Sequence, residues 1–254
     1  VILAENLSVS FDAGKTFALH NVNISVKKGE FIAIIGLSGA GKSTFLRTIN
    51  GGVRPFSGSM KVLGQTVNEL DASALMRLRS KIGFIYQQFN LVKTLSALRN
   101  VQLGLLGTIP WYRSIFGIFT GAETKSAEEA LKWVNLAEKF SQSCRSLSGG
   151  QQQRVAIARA LVQKPEIILA DEPMASLDPK LSEIVFEILK NYCREKKTTV
   201  LINIHVLKYA VQYADRIIAF QGGRVVYDGS PAALTDEVTK GIYTTHPVKL
   251  GADA

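Results

Sequence analysis

The stretch "GLSGAGKST", Gly36-Leu37-Ser38-Gly39-Ala40-Gly41-Lys42-Ser43-Thr44, decides the fold of this 254-residue chain. It fits the pattern G-x-x-x-x-G-K-[ST], follows the apolar run "EFIAIIG" and opens a helical pattern, which is the context a phosphate-binding loop requires. The glycines let the backbone wrap closely around a phosphate chain, so that consecutive amides and the positive helix end point at it. Lys42 supplies a cation for the β- and γ-phosphates, and Ser43 offers a hydroxyl to Mg²⁺. Residues 36–40 also come near a hydrolase nucleophile elbow, but Ala40 stands where that motif needs its last glycine.

Three further β-rich runs, "KIGFIYQ", "EIILADEP" and "TTVLINIH", end in polar turns and lead into helical patterns. Strands alternating with helices imply a largely parallel sheet with ligands at the carboxyl ends of its strands. "IILADE" places Asp171 at such an end, where it can hold Mg²⁺ directly or through its waters. Glu172, a second carboxylate beside the metal, can polarise a water for in-line attack on the γ-phosphate, which makes hydrolysis and not only binding the expectation. The alternative is a surface acidic pair at a strand end.

The N-terminal runs "LAENLSVSF", "HNVNISV" and "GSMKVLGQTV" alternate apolar and polar residues between Gly, Asn and Asp, which predicts a small antiparallel sheet beside the parallel one. Between Gln88 and Ser146 the strand signal stops. "TLSALRNVQLGLLG" and "SAEEALKWVNLAEKF" read as helices, the second opened by a Ser126/Glu129 capping box. Between them, "GTIPWYRSIFGIFTG" reads as a loop tucked against its own helices, with a docking surface as the alternative. A frayed tail is expected over residues 246–254.

Composition sets the outer limits. Hydrophobic residues make up 46% and charged residues 20%, as in a globular protein. The two cysteines, Cys144 and Cys193, form no CxxC pair and no His cluster accompanies them, which argues against a zinc site or disulfide framework and for a reducing compartment. No apolar run approaches the about 20 residues that span a bilayer, and no signal-peptide pattern appears. The net charge of +9 is dispersed, and no nucleic-acid module accompanies it, so no nucleic-acid partner is expected.

A second glycine pair, in "SLSGGQQQR" (Ser146–Arg154), also opens a helical pattern and looks redundant beside a complete phosphate loop. "GLSGAGKST", "IYQQFNL", "LSGGQQQR", "IILADEP", "SLD" and "NIH" together resemble, in order and approximate spacing, the motifs of the ATP-binding-cassette (ABC) family, from Val1 to about Gly229. The resemblance implies an α/β P-loop NTPase fold of the ABC-ATPase type: a mostly parallel core sheet, an N-terminal antiparallel β-subdomain and an inserted α-helical subdomain. It implies one domain over 1–245, with the helical subdomain at about 89–160.

Carried across by resemblance, ATP is held by Phe11, stacked on adenine, and by residues 36–44, with Phe17 competing for the adenine role. Gln87 resembles the Q-loop glutamine that touches the metal or the attacking water. Mg²⁺ would then lie among Ser43, Gln87 and Asp171, and catalysis would fall to Glu172, Gln87 and the switch histidine His205. In this family two subunits pack head to tail, so Ser148, Gly149, Gly150, Gln151 and the D-loop Asp178 of one would cover the ATP held by the other. The free amides and positive dipole at a helix start suit that role.

One cassette in the chain resembles the separate ATPase subunit of a bacterial importer. The implied partners are a second copy of the chain, a membrane permease dimer and an extracytoplasmic solute-binding protein. The implied location is the cytoplasmic face of the plasma membrane. "QQFNLV", "ADEPMASLDP", "GTIPWYRSIFGIFTG" and the run from Asn203 to Gly229 resemble the phosphonate-import branch, with Val206 where many relatives carry aspartate. Importers or exporters of other substrates, and soluble cassettes acting on ribosomes or DNA, are the alternatives.

Overall fold

The computed structural model describes residues 1–175 and 177–243, so the expected tail at 246–254 lies outside the described residues. Strands β1 (Ile2–Val9), β2 (Leu19–Val26), β4 (Ser57–Val62) and β5 (Gln65–Thr66) form an antiparallel sheet in the order β2-β1-β4-β5. A second sheet has six strands: β3 (Phe31–Ile35), β6 (Ile82–Ile85), β7 (Ile167–Asp171), β8 (Thr199–Asn203), β9 (Arg216–Gln221) and β10 (Arg224–Gly229). Their order is β10-β9-β3-β8-β7-β6, parallel throughout except where β9 turns back into β10.

The apolar runs read as strands for a physical reason: β3, β7 and β8 are buried at every position, as strands covered on both faces must be. Alternate side chains feed two separate cores. Phe31, Ala33 and Ile35 join one with α3 (Ala97–Gln102), α5 (Gly121–Trp133), α6 (Gly149–Leu161) and α7 (Pro179–Lys196). Ile32 and Ile34 join the other with α1 (Lys42–Ile49) and the antiparallel sheet. Helices α1 and α6, each opened by glycines, therefore lie on opposite faces of the parallel sheet.

The helical insertion between β6 and β7 departs from expectation in two places. The capping box of α5 is not Ser126/Glu129. Thr120 Oγ1 accepts from the Glu123 amide at 3.3 Å, and the Glu123 carboxylate accepts from the Thr120 amide at 2.7 Å, so the helix is capped at Thr120 and not at Ser126. Glu123 is also paired with Arg113, which fixes it at that terminus and leaves Ser126 inside the helix. The stretch read as a tucked loop contains a helix, α4 (Trp111–Phe116), with no buried residue. Between Ser96, its N-cap, and Gln102, α3 is regular, and it then tightens into a 3₁₀ turn at Leu103–Leu105.

The remaining helices are α2 (Ala72–Arg79), α8 (Leu207–Tyr213) and α9 (Asp236–Tyr243). The β9–β10 hairpin turns at Gly222 and Gly223, whose φ values of +53° and +77° are those of a two-residue primed turn. The register pairs Ile34 with Asn203 and Asp171 with Asn203, bringing the carboxyl ends of β3, β8 and β7 level with one another. The site grows from that row.

Candidate nucleotide-binding site

Past Ile35, the chain enters a loop in which two glycines are sterically required. Gly36 has φ +139°, and a Cβ on it would lie 2.2 Å from the Phe220 carbonyl oxygen. Gly41 has φ +102°, and its Cβ would lie 2.4 Å from the Ala18 carbonyl oxygen. The loop is thus wedged between β9 and the β1–β2 connection. Gly41 serves as N-cap of α1 with no side-chain cap, so the first-turn amides of the helix remain directed at the cleft. That cleft, about 160 Å³, is lined by Ser38–Thr44, Ala18 and Glu172.

Lys42 is 4% exposed and its ammonium donates to the carbonyls of Gly36 (2.8 Å) and Leu37 (3.0 Å). Burial lowers its pKa, against the opposing pull of Glu172 and Asp171. Ser43 Oγ donates to Asp171 Oδ1 at 2.7 Å. Asn203, fully buried, donates from Nδ2 to the same oxygen at 2.7 Å. Both donors use Oδ1, and Oδ2 receives no hydrogen bond from any described residue. A hydroxyl and a carboxylate in contact, with a carboxylate oxygen left over, are the hard oxygen donors that suit Mg²⁺.

At the end of β7 the backbone breaks direction. Glu172 takes φ +50°, in the left-handed region where a non-glycine residue is strained by about 1–3 kcal/mol. The turn brings its carboxylate 2.5 Å from Nε2 of the exposed His205, which follows β8. The phosphate loop, Asp171, Glu172 and His205 therefore converge at the carboxyl ends of adjacent strands. Gln87 is not brought to them. It is exposed in a cleft of about 590 Å³ with Gln152, and no hydrogen bond joins it to Ser43, Asp171 or Glu172 among the described residues.

Phe11 is 72% exposed on the β1–β2 connection, the same connection that borders the phosphate loop at Ala18. Phe17 is engaged elsewhere, edge-on to His20 and Phe56 at 5.1 and 5.7 Å, which leaves Phe11 as the free ring. Asp12 organises the turn. The Thr16 hydroxyl, with the Thr16 amide and the Ser10 hydroxyl, holds its carboxyl down at about 2.

The "LSGGQ" residues open α6 on the other face of the sheet. Ser148 Oγ accepts from the Gln151 amide (3.3 Å) and Gln151 Oε1 from the Ser148 amide (3.0 Å), a reciprocal capping box. The two glycines differ in purpose. A Cβ on Gly150 would lie 2.6 Å from Leu181 Cδ1 of α7, whereas one on Gly149 meets nothing within 4 Å. Asp178 caps α7, accepting from the Leu181 amide at 3.0 Å.

Two positioning residues escape sequence reasoning. Asn203 lies inside "NIH", where His205 draws the attention, and its partner is a strand away in space but 32 residues away in sequence. Arg159, on α6, donates to the carbonyls of Asn90 (2.6 Å) and Phe89 (2.9 Å) and so ties down the segment that carries Gln87. Its helical spacing within an apolar face was the only available signal.

A glycine-wrapped helix terminus with its carboxylate pair at the ends of parallel strands defines a P-loop nucleoside triphosphatase. Residues 19–175 match the ABC transporter family, and the chain belongs to that family as its ATP-hydrolysing cassette. It is similar to the phosphonates import ATP-binding protein PhnC of Treponema denticola, 45% identical over 99% of this chain and 98% of that protein. The protein of the same name from Stutzerimonas stutzeri is 46% identical over 95% and 89% of the respective chains. Among solved structures, the dimeric ATP-binding cassette MJ0796 bound to ADP and Pi superposes with a TM-score of 0.80 at 39% identity, covering 91% of this chain and 99% of that one.

Proposed function

We propose that this chain energises the uptake of phosphonate, or a related phosphorus oxyanion, as the ATPase subunit of an importer. The observation that carries the substrate class is the resemblance, nearly end to end, to relatives named as phosphonate-import ATP-binding proteins. ATP is the nucleotide. Ser43 and Asp171, already in contact, would hold Mg²⁺, which when bound neutralises phosphate charge.

The chain's own residues divide the remaining work. The uncapped amides of α1 and the Lys42 ammonium bind and orient the phosphates, Lys42 exchanging its two loop carbonyls for phosphate oxygens. Glu172 accepts the proton of the attacking water, and His205 holds the Glu172 carboxylate in position and meets the γ-phosphate. Gln87 reports the state of the site to the helical insertion. Phe11 stacks on adenine.

In this reading Ser148, Gly149, Gly150, Gln151 and Asp178 act on the nucleotide of a second copy, because α6 and α1 occupy opposite faces of one sheet. The assembly works on a permease dimer at the cytoplasmic face of a bacterial membrane, supplied by a solute-binding protein. The test is uptake of radiolabelled methylphosphonate by cells lacking the chromosomal copy. Wild type restores uptake and Lys42→Ala does not. Restored uptake of an unrelated solute, with none of the phosphonate, refutes the substrate assignment while leaving the ATPase intact.

A further inference from the structure

Helix α4 is amphipathic with its faces reversed. At 3.6 residues per turn Trp111, Tyr112, Ile115 and Phe116 fall within an arc of about 140°, and Arg113 and Ser114 take the opposite side. A helix packed on a core turns its apolar arc inward. Here the polar arc faces the protein: Ser114 Oγ donates to the Leu106 carbonyl at 2.7 Å, and Arg113 donates to the Ile118 carbonyl at 3.1 Å and pairs with Glu123. The apolar arc faces out, with Trp111 75%, Ile115 70% and Phe116 74% exposed, and Ile118 continues it beyond Gly117.

We propose that α4 and Ile118 form an anchor lying in the headgroup–acyl boundary of a lipid bilayer. Side chains this exposed stand out from the surface, as a wedge entering a fluid interface does, instead of lining a groove. Arg113 is the only charged residue from Gly104 to Ala122, and its pairing with Glu123 means that immersion strands no charge. The indole N–H of Trp111 and the hydroxyl of Tyr112 donate to no described residue, which suits rings whose polar tips sit at headgroup depth. Among the described residues no helix is long and apolar enough to cross a membrane, so the anchor lies on the bilayer. The inference does not depend on the transported substrate.

The test uses the full chain and protein-free vesicles of neutral phosphatidylcholine at high salt, because the +9 charge would draw the chain to anionic lipid regardless of α4. Wild type is expected to sediment with the vesicles. In a Trp133→Phe background, Trp111 emission should shift to the blue and be quenched by brominated lipid. The triple variant Trp111→Ser, Ile115→Ser, Phe116→Ser should partition at least roughly ten-fold more weakly, having lost three apolar side chains, with its ATPase activity in solution and circular dichroism unchanged. Wild type that ignores neutral vesicles, an unquenched Trp111, or equal partitioning of the variant overturns the proposal. Capture only by vesicles carrying an integral-membrane protein assigns this face to a protein partner and overturns it equally.

Discussion

Ser43 Oγ and Asp171 Oδ1, 128 residues apart in sequence, are joined by a 2.7 Å hydrogen bond, and Asn203 Nδ2 reaches the same oxygen at 2.7 Å. The carboxylate is thereby held by one oxygen, and no described residue donates to the other. Asn203 fixes this orientation from a fully buried position on the neighbouring strand.

Replacing Asn203 by Leu preserves the volume of the strand's interior and removes the donor. Groups that orient a metal-binding carboxylate are worth about 10–100-fold in metal affinity. Asn203→Leu should therefore weaken Mn²⁺ binding to the ATP complex by that factor, as read by electron paramagnetic resonance, with little change in metal-free nucleotide affinity. Unaltered Mn²⁺ affinity would remove Asn203 from the site.

Glu172 reaches His205 through a strained left-handed backbone, and strain of this kind persists where the surrounding structure enforces it. Glu172→Gln keeps the shape and removes the carboxylate proposed as the base. Turnover should fall by about 10²–10⁴-fold, the usual contribution of general-base catalysis, while ATP binding remains and an ATP-bound dimer accumulates in size-exclusion chromatography. Wild-type turnover in this variant would assign the base elsewhere.

The phosphate loop and strands β3, β7 and β8 were legible because strands covered on both faces are apolar along nearly their whole length, and because a wrapped loop leaves few choices besides glycine. Other features were hidden for identifiable reasons. The start of α5 is ambiguous in sequence because Thr120/Glu123 and Ser126/Glu129 both satisfy the capping pattern, and the choice rests on Arg113, which reaches Glu123 only in three dimensions. Periodicity showed neither the existence of α4 nor its outward apolar face, because a helical repeat gives the spacing of apolar residues and not the direction they face. The differing roles of Gly149 and Gly150 depend on Leu181, more than 30 residues downstream.

Burial of Cys193 raises its thiol from the ordinary 9.0 to about 11, and burial also raises Cys144. Because the folded thiol keeps its proton to higher pH than the unfolded one, its contribution to stability is full below pH 9.0 and is lost as pH rises through about 11. Tyr192, raised by burial from 10.0 to about 12, extends the window upward. The melting temperature should drop across this alkaline range, and Cys193→Ala should make the drop shallower. Both thiols should resist an aromatic disulfide reagent until the chain unfolds; rapid labelling of native protein at neutral pH would contradict their burial.

Ser148 opens α6 on the face of the parallel sheet opposite α1, so a bulky cation there cannot reach the phosphate loop of its own chain without crossing the core. In the proposed dimer the same position faces the partner's nucleotide. Ser148→Arg also removes a helix cap, at a cost of about 0.5–2 kcal/mol, which thermal denaturation measures separately. ATP affinity of the monomer should stay within a few-fold of wild type while cooperative hydrolysis disappears. Mixing this variant with Lys42→Ala adds a discriminating step. A mixed dimer has one site with both defects and one with neither, so partial activity should return. Lost monomer binding, or no rescue on mixing, would place the α6 terminus on the nucleotide of its own subunit.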